Sequence, residues 1–159
     1  MYQEIVLAGF GGQGVLLIGK LLAYSGMKNG YEVTWLPAYG PEMRGGTCNC
    51  TVVISEKPVG SPMSKNPHGL IALNLPSLDK FEDTVRPGGV IVINTSLINR
   101  KVKRTDVKVI EVAANELAIE CGNECRIVGV AHGLGEHRLR FGVVRQKLRL
   151  RVVEVLDAV

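Results

Sequence analysis

Apolar residues along the chain form two kinds of pattern, and the two kinds follow each other in a regular order. Short runs rich in Val, Ile and Leu are typical of buried strands, and apolar residues three or four positions apart are typical of helices. The predicted strands cover residues 4–9, 32–36, 47–55, 70–74, 90–98 and 106–112. The predicted helices cover residues 15–29, 77–85 and 113–121. This alternation predicts an α/β fold with a doubly wound, mostly parallel sheet and helices on both faces, a Rossmann-like three-layer sandwich.

Composition indicates a globular protein with an aliphatic core. The 159 residues are 46% hydrophobic and 21% charged, and only 5% are aromatic. The first residues carry no basic region before their short apolar run, so we expect no signal peptide. No apolar run approaches the ~20 residues needed to span a bilayer. We therefore expect a soluble, cytoplasmic protein without a membrane partner.

The net charge of +4 is concentrated near the C-terminus. Residues 126–159 contain seven Lys or Arg and three Asp or Glu, whereas residues 1–125 contain twelve of each. We predict a main domain at residues 1–125 and a basic segment at 126–159 that packs on or extends the same domain. An arginine-rich segment could attract nucleic acid. Its one aromatic residue, Phe141, and the lack of a recognition module favour a solvated or partner-facing helix instead.

The cysteines and histidines are not spaced as a metal site or a catalytic group requires. One residue separates Cys48 from Cys50, and three residues separate Cys121 from Cys125. Zinc and iron–sulfur sites typically use cysteine pairs separated by two residues. Free thiols are the prediction, with a metal site as the alternative. The three histidines lie apart in loop or tail segments and are expected at the surface: His68, His132 and His137. We predict no catalytic and no metal-ligating residue on this chain.

A glycine-rich turn follows the first predicted strand, in the sequence IVLAGFGGQGV (5–15), which has the spacing G-x-G-x-x-G. Gly11 and Gly12 would allow unusual backbone angles and close approach of a ligand, and Gly14 would let the helix pack tightly on its strand. The start of the helix favours an anion by about 0.3–1 kcal/mol, and phosphate is the obvious candidate.

Two alternatives remain for this turn. A nicotinamide dinucleotide site needs an acid at the end of the second strand, but residues 33–39 contain none, and Glu32 stands at the strand's start. The glycines could also serve only as a tight connection between strand and helix.

A second loop, PAYGPEMRGG (37–46), places Arg44 between Glu42 and two glycines. Open backbone N–H groups beside a guanidinium suit phosphate or carboxylate. An ordinary surface pair of Arg44 with Glu42 is the alternative. Since this loop and the glycine turn both follow strand ends, we predict that they lie on the same edge of the sheet.

Three stretches in order carry a resemblance to a known family: GFGGQGV, YGPEMRGGTCNCTVVIS and LIALNLPSLDKFEDTVRPGGVIVINTSLI. They resemble the gamma subunit of 2-oxoacid:ferredoxin oxidoreductases, in particular of the 2-oxoglutarate type, over about residues 3–125. The chain departs from that pattern at Gly69, where an Asp is expected, and after Arg126.

The resemblance implies a role in a larger complex that oxidises 2-oxoglutarate, pyruvate or another 2-oxoacid. Such a complex forms an acyl-CoA and CO2 and reduces ferredoxin. Thiamine diphosphate, Mg2+ and iron–sulfur clusters are then carried by alpha-, beta- and ferredoxin-like delta-type subunits. The gamma subunit helps to bind coenzyme A and covers the active site. The alternative is a stand-alone nucleotide-binding α/β module.

Carried onto this sequence, the resemblance assigns possible coenzyme A contacts to the turn and to the second loop. The candidates are Gly11, Gly12, Gln13, Gly14, Tyr39, Glu42, Arg44, Gly45, Gly46 and Thr47. Arg44 and Glu42 could equally fasten the chain to an alpha-like partner. A subunit role predicts an exposed apolar patch, for which the loop around Met63 is a candidate rim; a plain connecting loop is the alternative.

Overall fold

A computed structural model describes residues 1–40 and 46–120. The chain divides into two compact units, Met1–Val112 and Ala113–Val159. The described elements of the first unit are β1 (Tyr2–Phe10), α1 (Val15–Lys28), β2 (Glu32–Tyr39), β3 (Thr47–Ser55), β4 (Gly69–Ala72), α2 (Leu75–Phe81), a 3₁₀ turn (Glu82–Thr84), β5 (Val90–Asn94) and β6 (Lys108–Val112). The second unit begins with α3 (Ala114–Glu120). The predicted boundary between residues 125 and 126 lies outside the described residues.

The strands of the first unit form one mixed sheet in the order β2-β3-β1-β4-β5-β6. β1, β4, β5 and β6 pair in parallel, and β3 lies antiparallel between β1 and β2. The prediction of an α/β fold with a mostly parallel sheet is confirmed. β3 runs antiparallel to β2 because the connection between them is short. Residues 40–46 are too few for the crossover of about a dozen residues that a parallel neighbour requires.

Helices α1 and α2 cover opposite faces of the sheet. α1 packs close to β2 and β3 because two of its residues lack a side chain: a Cβ at Gly19 would lie 2.5 Å from Cys50 Sγ, and one at Gly26 would lie 2.8 Å from Val33 Cγ2. α2 packs on the other face, whose buried cluster consists of Val6, Leu70, Ala72, Leu78, Val85, Ile91, Ile93 and Ile98. Successive strand residues point to opposite faces, so Leu7 and its partner Cys50 belong to the α1 side.

The second strand is longer than predicted. Residues 37–39 were expected in a loop, because Pro37 and the residues after it lack strand periodicity, but they extend β2 to Tyr39. β2 is the edge strand of the sheet, where the missing N–H of Pro37 leaves no ladder bond unmade. Tyr39 therefore pairs with Cys48 inside the sheet.

An ionic cluster fastens the segment after β5 to the end of α2. Arg100 Nη2 lies 2.7 Å from Glu82 Oε2 and also pairs with Asp79, and the backbone N–H of Lys103 donates to Glu82 Oε1. Burial works to raise the pKa of Glu82, but the bonds from Arg100 and the Lys103 amide outweigh it and lower that pKa.

None of the helices in the described part of the chain has the length and apolar character of a membrane span.

Candidate functional site

The glycine turn connects β1 to α1 and leaves the start of the helix open. Gly14 precedes the helix at φ 83°, no side chain caps the helix, and its first turn carries no acidic residue. The first bond within the helix runs from Ile18 N to Gly14 O at 2.9 Å. The N–H groups of the preceding helical residues thus have no carbonyl partner within the helix. The turn presents free donors and a positive dipole end, and the first turn of the helix contributes no competing carboxylate.

The predicted backbone role is confirmed for Gly12, whereas the predictions of an unusual angle at Gly11 and of close packing at Gly14 are wrong. Positive φ angles occur at Gly12 (97°) and Gly14 (83°), and not at Gly11. A Cβ at Gly14 would meet nothing within 4 Å, so close packing is not its role. Close packing is needed at Gly9, whose Cβ would lie 2.7 Å from Gln13 Oε1 and 2.8 Å from Val15 Cγ2. The positive φ angles at positions 12 and 14 favour glycine, and the space that a side chain would occupy at either position is empty.

The side chain of Gln13 stabilises the turn by hydrogen bonds on its inner side. Its Oε1 accepts the backbone N–H of Phe10 at 2.6 Å and the Nδ2 of Asn74 at 3.0 Å. Asn74 also caps α2, since its Oδ1 accepts the N–H of Ser77 at 3.0 Å. Sequence reasoning missed Asn74, although an Asn two residues before Pro76 is an N-cap signal. The side-chain oxygen of Gln13 is occupied by these bonds, so Gln13 positions the turn.

The second loop begins and ends beside the turn. Gly11 N–H donates to Gly46 O at 2.9 Å, and Gly40 N–H donates to Thr47 O at 3.1 Å. The sheet register places Phe10 opposite Thr47. The expectation that loop and turn share one edge of the sheet is therefore confirmed for both described ends of the loop.

Three predicted site residues of the second loop lie outside the described residues: Glu42, Arg44 and Gly45. Their assignments stay predictions.

A cavity of about 440 Å³ opens between the turn and the ends of β2 and β3. It brings together most of the described candidates and several apolar neighbours. Its described lining is Phe10, Gly11, Gly12, Gly14, Val15, Leu16, Leu17, Tyr39, Gly46, Thr47 and Cys48, and none of these is charged. Gln13 is not part of this lining. The cavity combines backbone donors at the helix start with apolar walls.

Cys48 and Cys50 lie close to the cavity as free thiols, as predicted. Cys121 and Cys125 lie outside the described residues, and their state stays a prediction. Cys48 is buried in the lining, and burial raises the pKa of its thiol. Cys50 lies deeper, with Sγ 3.7 Å from Val15 O. Burial raises the pKa of Cys50 to about 11, although the Trp35 indole works in the opposite direction. Both thiols are protonated and weakly nucleophilic at neutral pH.

Among residues 1–40 and 46–120, no three His, Cys, Asp or Glu side chains group as metal ligands.

The expectation of a surface position is wrong for His68. Its side chain is only 12% exposed, because the parallel pairing of β4 with β1 brings it against Glu4. Its Nδ1 accepts the backbone N–H of Glu4 at 3.3 Å, and burial lowers its pKa. It stands where β1 and β4 begin, at the edge opposite the cavity. His132 and His137 lie outside the described residues.

Curated relatives of the chain are subunits of oxidoreductases. The ketoisovalerate oxidoreductase subunit VorA of Methanothermobacter marburgensis is 44% identical over 136 residues, which are 83% of this chain and 28% of VorA. The 2-oxoglutarate synthase subunit KorC of Methanocaldococcus jannaschii is 34% identical over 122 residues, 76% of this chain and 65% of KorC. The chain thus spans about a quarter of one relative and about two thirds of the other.

Two solved structures share the fold. The gamma subunit of a keto/oxoacid ferredoxin oxidoreductase from Geobacter sulfurreducens is 27% identical with a TM-score of 0.67, covering 79% of this chain and 69% of that one. The 2-oxoglutarate:ferredoxin oxidoreductase of Magnetococcus marinus, with 2-oxoglutarate, coenzyme A and succinyl-CoA bound, has a TM-score of 0.67 over 75% of this chain and 21% of that one. At 20% identity, the second shows the fold alone.

A family model described as pyruvate ferredoxin/flavodoxin oxidoreductase matches residues 4–151, and so includes most of the basic segment after Arg126. Since this match spans most of the chain and the relatives carry the same kind of name, the chain belongs to the pyruvate ferredoxin/flavodoxin oxidoreductase family.

Proposed function

We propose that the chain is the gamma-type subunit of a multi-subunit 2-oxoacid:ferredoxin oxidoreductase. The complex converts a 2-oxoacid and coenzyme A to an acyl-CoA and CO2, and the two electrons released pass to ferredoxin. Family membership and relatives named for 2-oxoglutarate and ketoisovalerate support this assignment. The contribution of this chain is to bind coenzyme A and to cover the active site.

The observation that carries the binding role is the uncapped start of α1 at the wall of the cavity. A phosphate group needs several N–H donors, and the first turn of α1 supplies them and carries no acidic residue. Gly12 and Gly14 add open space, since a Cβ at either position would meet no atom within 4 Å. The residues present therefore fit a phosphate of coenzyme A. The apolar walls at Phe10, Leu16 and Tyr39 suit its pantetheine chain or adenine ring.

A positive side chain must come from outside the described lining, which is uncharged. Arg44 stands two residues before Gly46 in the sequence, and Gly46 is bonded to the turn at Gly11. We assign Arg44 as the cation that meets the phosphates, with Glu42 and Gly45 in the same loop and Thr47 at the start of β3. The competing assignment, in which Arg44 and Glu42 hold an alpha-like partner, predicts loss of assembly rather than loss of coenzyme A affinity.

The remaining cofactors belong to partner chains in this proposal. Thiamine diphosphate with Mg2+ and the iron–sulfur clusters are assigned to alpha-, beta- and ferredoxin-like delta-type subunits, and ferredoxin meets this chain only indirectly. We place the complex in the cytoplasm.

A stand-alone dinucleotide-binding module is the second candidate, favoured by the G-x-G-x-x-G turn. The sheet order argues against it. In a dinucleotide site the strand beside β1 ends in the acid that holds the ribose. Here β3 occupies that place, so the end of β2 lies two strands away, at about 10 Å.

Affinity purification of the tagged chain from its native cells tests the proposal. We expect it to bring down a thiamine-dependent enzyme and a ferredoxin-like subunit, identified by mass spectrometry. The purified material should reduce ferredoxin only when both a 2-oxoacid and coenzyme A are present. A chain that purifies alone and is stabilised against heat by NAD(H) would contradict the proposal and favour the second candidate.

A further inference from the structure

Helix α1 is apolar on two sides. Its inner side is formed by the buried residues Val15, Gly19, Leu22, Ala23 and Gly26. Its outer side carries four large exposed apolar residues, Leu17, Leu21, Tyr24 and Met27. Their spacing of three or four positions places them in one stripe along the helix. A surface helix normally turns charged and polar residues outward, so a stripe of this kind marks a contact surface.

The exposure of this stripe is large. Leu21 is 50% exposed and Tyr24 is 62% exposed, although both belong to a helix whose other side is fully buried. Met63, the residue predicted to mark a contact surface, is also exposed at 72%, but it stands without such a row of apolar neighbours along its own segment.

The charges on α1 are of one sign. Lys20 and Lys28 are its only charged residues, and residues 5–31 contain neither Asp nor Glu. The ammonium of Lys20 lies over the Trp35 ring, 5.2 Å from its centre, beside the stripe. Two copies that met through this helix would bring lysines toward lysines without a carboxylate between them. Charge complementarity therefore disfavours a second copy and favours a surface that supplies carboxylates.

The stripe is continuous with the candidate site. Leu17 is the first residue of the stripe and also lines the cavity beside the glycine turn. A chain that packs on the stripe would thus border the cavity and shield it from water.

We propose that the outer face of α1, formed by Leu17, Leu21, Tyr24 and Met27, docks a partner subunit of the same oxidoreductase. The contact surface of that partner is apolar and bordered by Asp or Glu side chains that meet Lys20 and Lys28. This inference rests on the proposed function, because it takes the partner from the same complex. It places the coenzyme A cavity beside a subunit boundary.

Binding of the purified full-length chain to the remaining subunits of its complex tests this surface. We expect Leu21→Glu and Tyr24→Glu to weaken binding at least about tenfold, since each places a charge in a buried apolar contact. Lys28→Glu should weaken binding and reduce its dependence on salt, whereas Lys28→Arg should bind as the unaltered chain does. Met63→Glu is the matched control and should change binding less than about twofold.

Thermal unfolding of each variant shows whether it has kept its fold, and a photo-crosslinking residue at position 21 provides a second measurement. We expect crosslinks from position 21 to a partner subunit, and none from position 63. Unchanged affinity in the α1 variants of an intact complex would overturn the docking surface and leave the proposed function standing. If the chain joins no oxidoreductase subunits at all, the proposed function fails and this inference fails with it.

Two other occupants would also overturn the proposal. Self-association of the unaltered chain in sedimentation, lost in Leu21→Glu, would assign the stripe to a second copy. Binding to vesicles of phosphatidylglycerol and phosphatidylcholine, lost in the same variant, would assign it to a lipid surface.

Discussion

The Nδ2 of Asn74 lies 3.0 Å from the Oε1 of Gln13, and this bond joins the start of α2 to the glycine turn at the start of α1. Two helices on opposite faces of the sheet are thereby fixed at the same edge. Asn94, the last residue of β5, bonds to the same edge: its Nδ2 donates to Leu73 O, just after β4, at 3.4 Å. The turn is therefore held in its shape by amide side chains that are not part of the described cavity lining.

Replacement of Asn74 should loosen this edge. Asn74→Ala removes the cap of α2 and leaves Gln13 Oε1 with one donor fewer, so we expect a loss of about 1–3 kcal/mol in the free energy of unfolding. Asn74→Asp keeps the capping oxygen but turns a buried, charged acceptor toward the acceptor Gln13 Oε1, so it should also cost stability. Urea denaturation measures both. Asn29→Ala, which removes an exposed side chain bonded to Ser25 O, is the control and should cost less than either.

The glycines with positive φ give a second prediction. Gly14→Ala should destabilise the fold by about 1–2 kcal/mol, because an L-residue at φ 83° is strained even though its Cβ has free space. Gly60→Ala is the matched control, since its position has free space and no positive φ. Equal thermal midpoints for the two variants would show that the turn does not require the left-handed conformation.

The sequence predicts the sheet, the two layers of helices and the shared edge of turn and loop, because hydrophobic periodicity and strand–helix alternation are local signals. It does not predict the antiparallel insertion of β3, which depends on which strands pair across the whole chain. It also assigns the wrong reason to Gly14, since a glycine needed for its backbone angle and one needed for close packing look alike in a sequence. Asn74 shows the same limit, because its partner Gln13 is distant along the chain.

The two buried thiols of β3 should resist alkylation. With its pKa raised to about 11, Cys50 has almost no thiolate at pH 8, and its side chain is fully buried. We expect iodoacetamide to leave Cys50 unmodified in the folded chain and to label it within minutes in urea, as read by peptide mass spectrometry. Cys48 lines the cavity and should react slowly, and coenzyme A should slow it further. Rapid labelling of Cys50 in the folded chain would contradict the buried position.

The ionic cluster around Glu82 predicts a dependence of stability on pH. The folded chain holds the pKa of Glu82 below its ordinary value, so its contribution is present above the ordinary glutamate pKa and is lost as the pH falls through the lowered one. Glu82→Gln should cost about 1–3 kcal/mol near neutral pH, because it leaves Arg100 without a buried partner charge. The difference from the unaltered chain should shrink in acid.

Asp83→Asn is the neighbouring control for Glu82 and should change stability by less than about 0.5 kcal/mol, since Asp83 is exposed. A constant difference between Glu82→Gln and the unaltered chain at every pH would show that the carboxylate charge contributes nothing.

In the function proposed above, the edge formed by the glycine turn and the second loop binds the phosphates of coenzyme A. The most direct measurement is the dissociation constant of coenzyme A for the assembled complex, with Arg44→Ala compared with the unaltered chain and with Arg86→Ala, an exposed arginine at the opposite edge. We expect at least about tenfold weaker binding for Arg44→Ala, because one charge-assisted contact is lost, and no change for Arg86→Ala. Equal affinity for coenzyme A in the intact Arg44→Ala complex would contradict it.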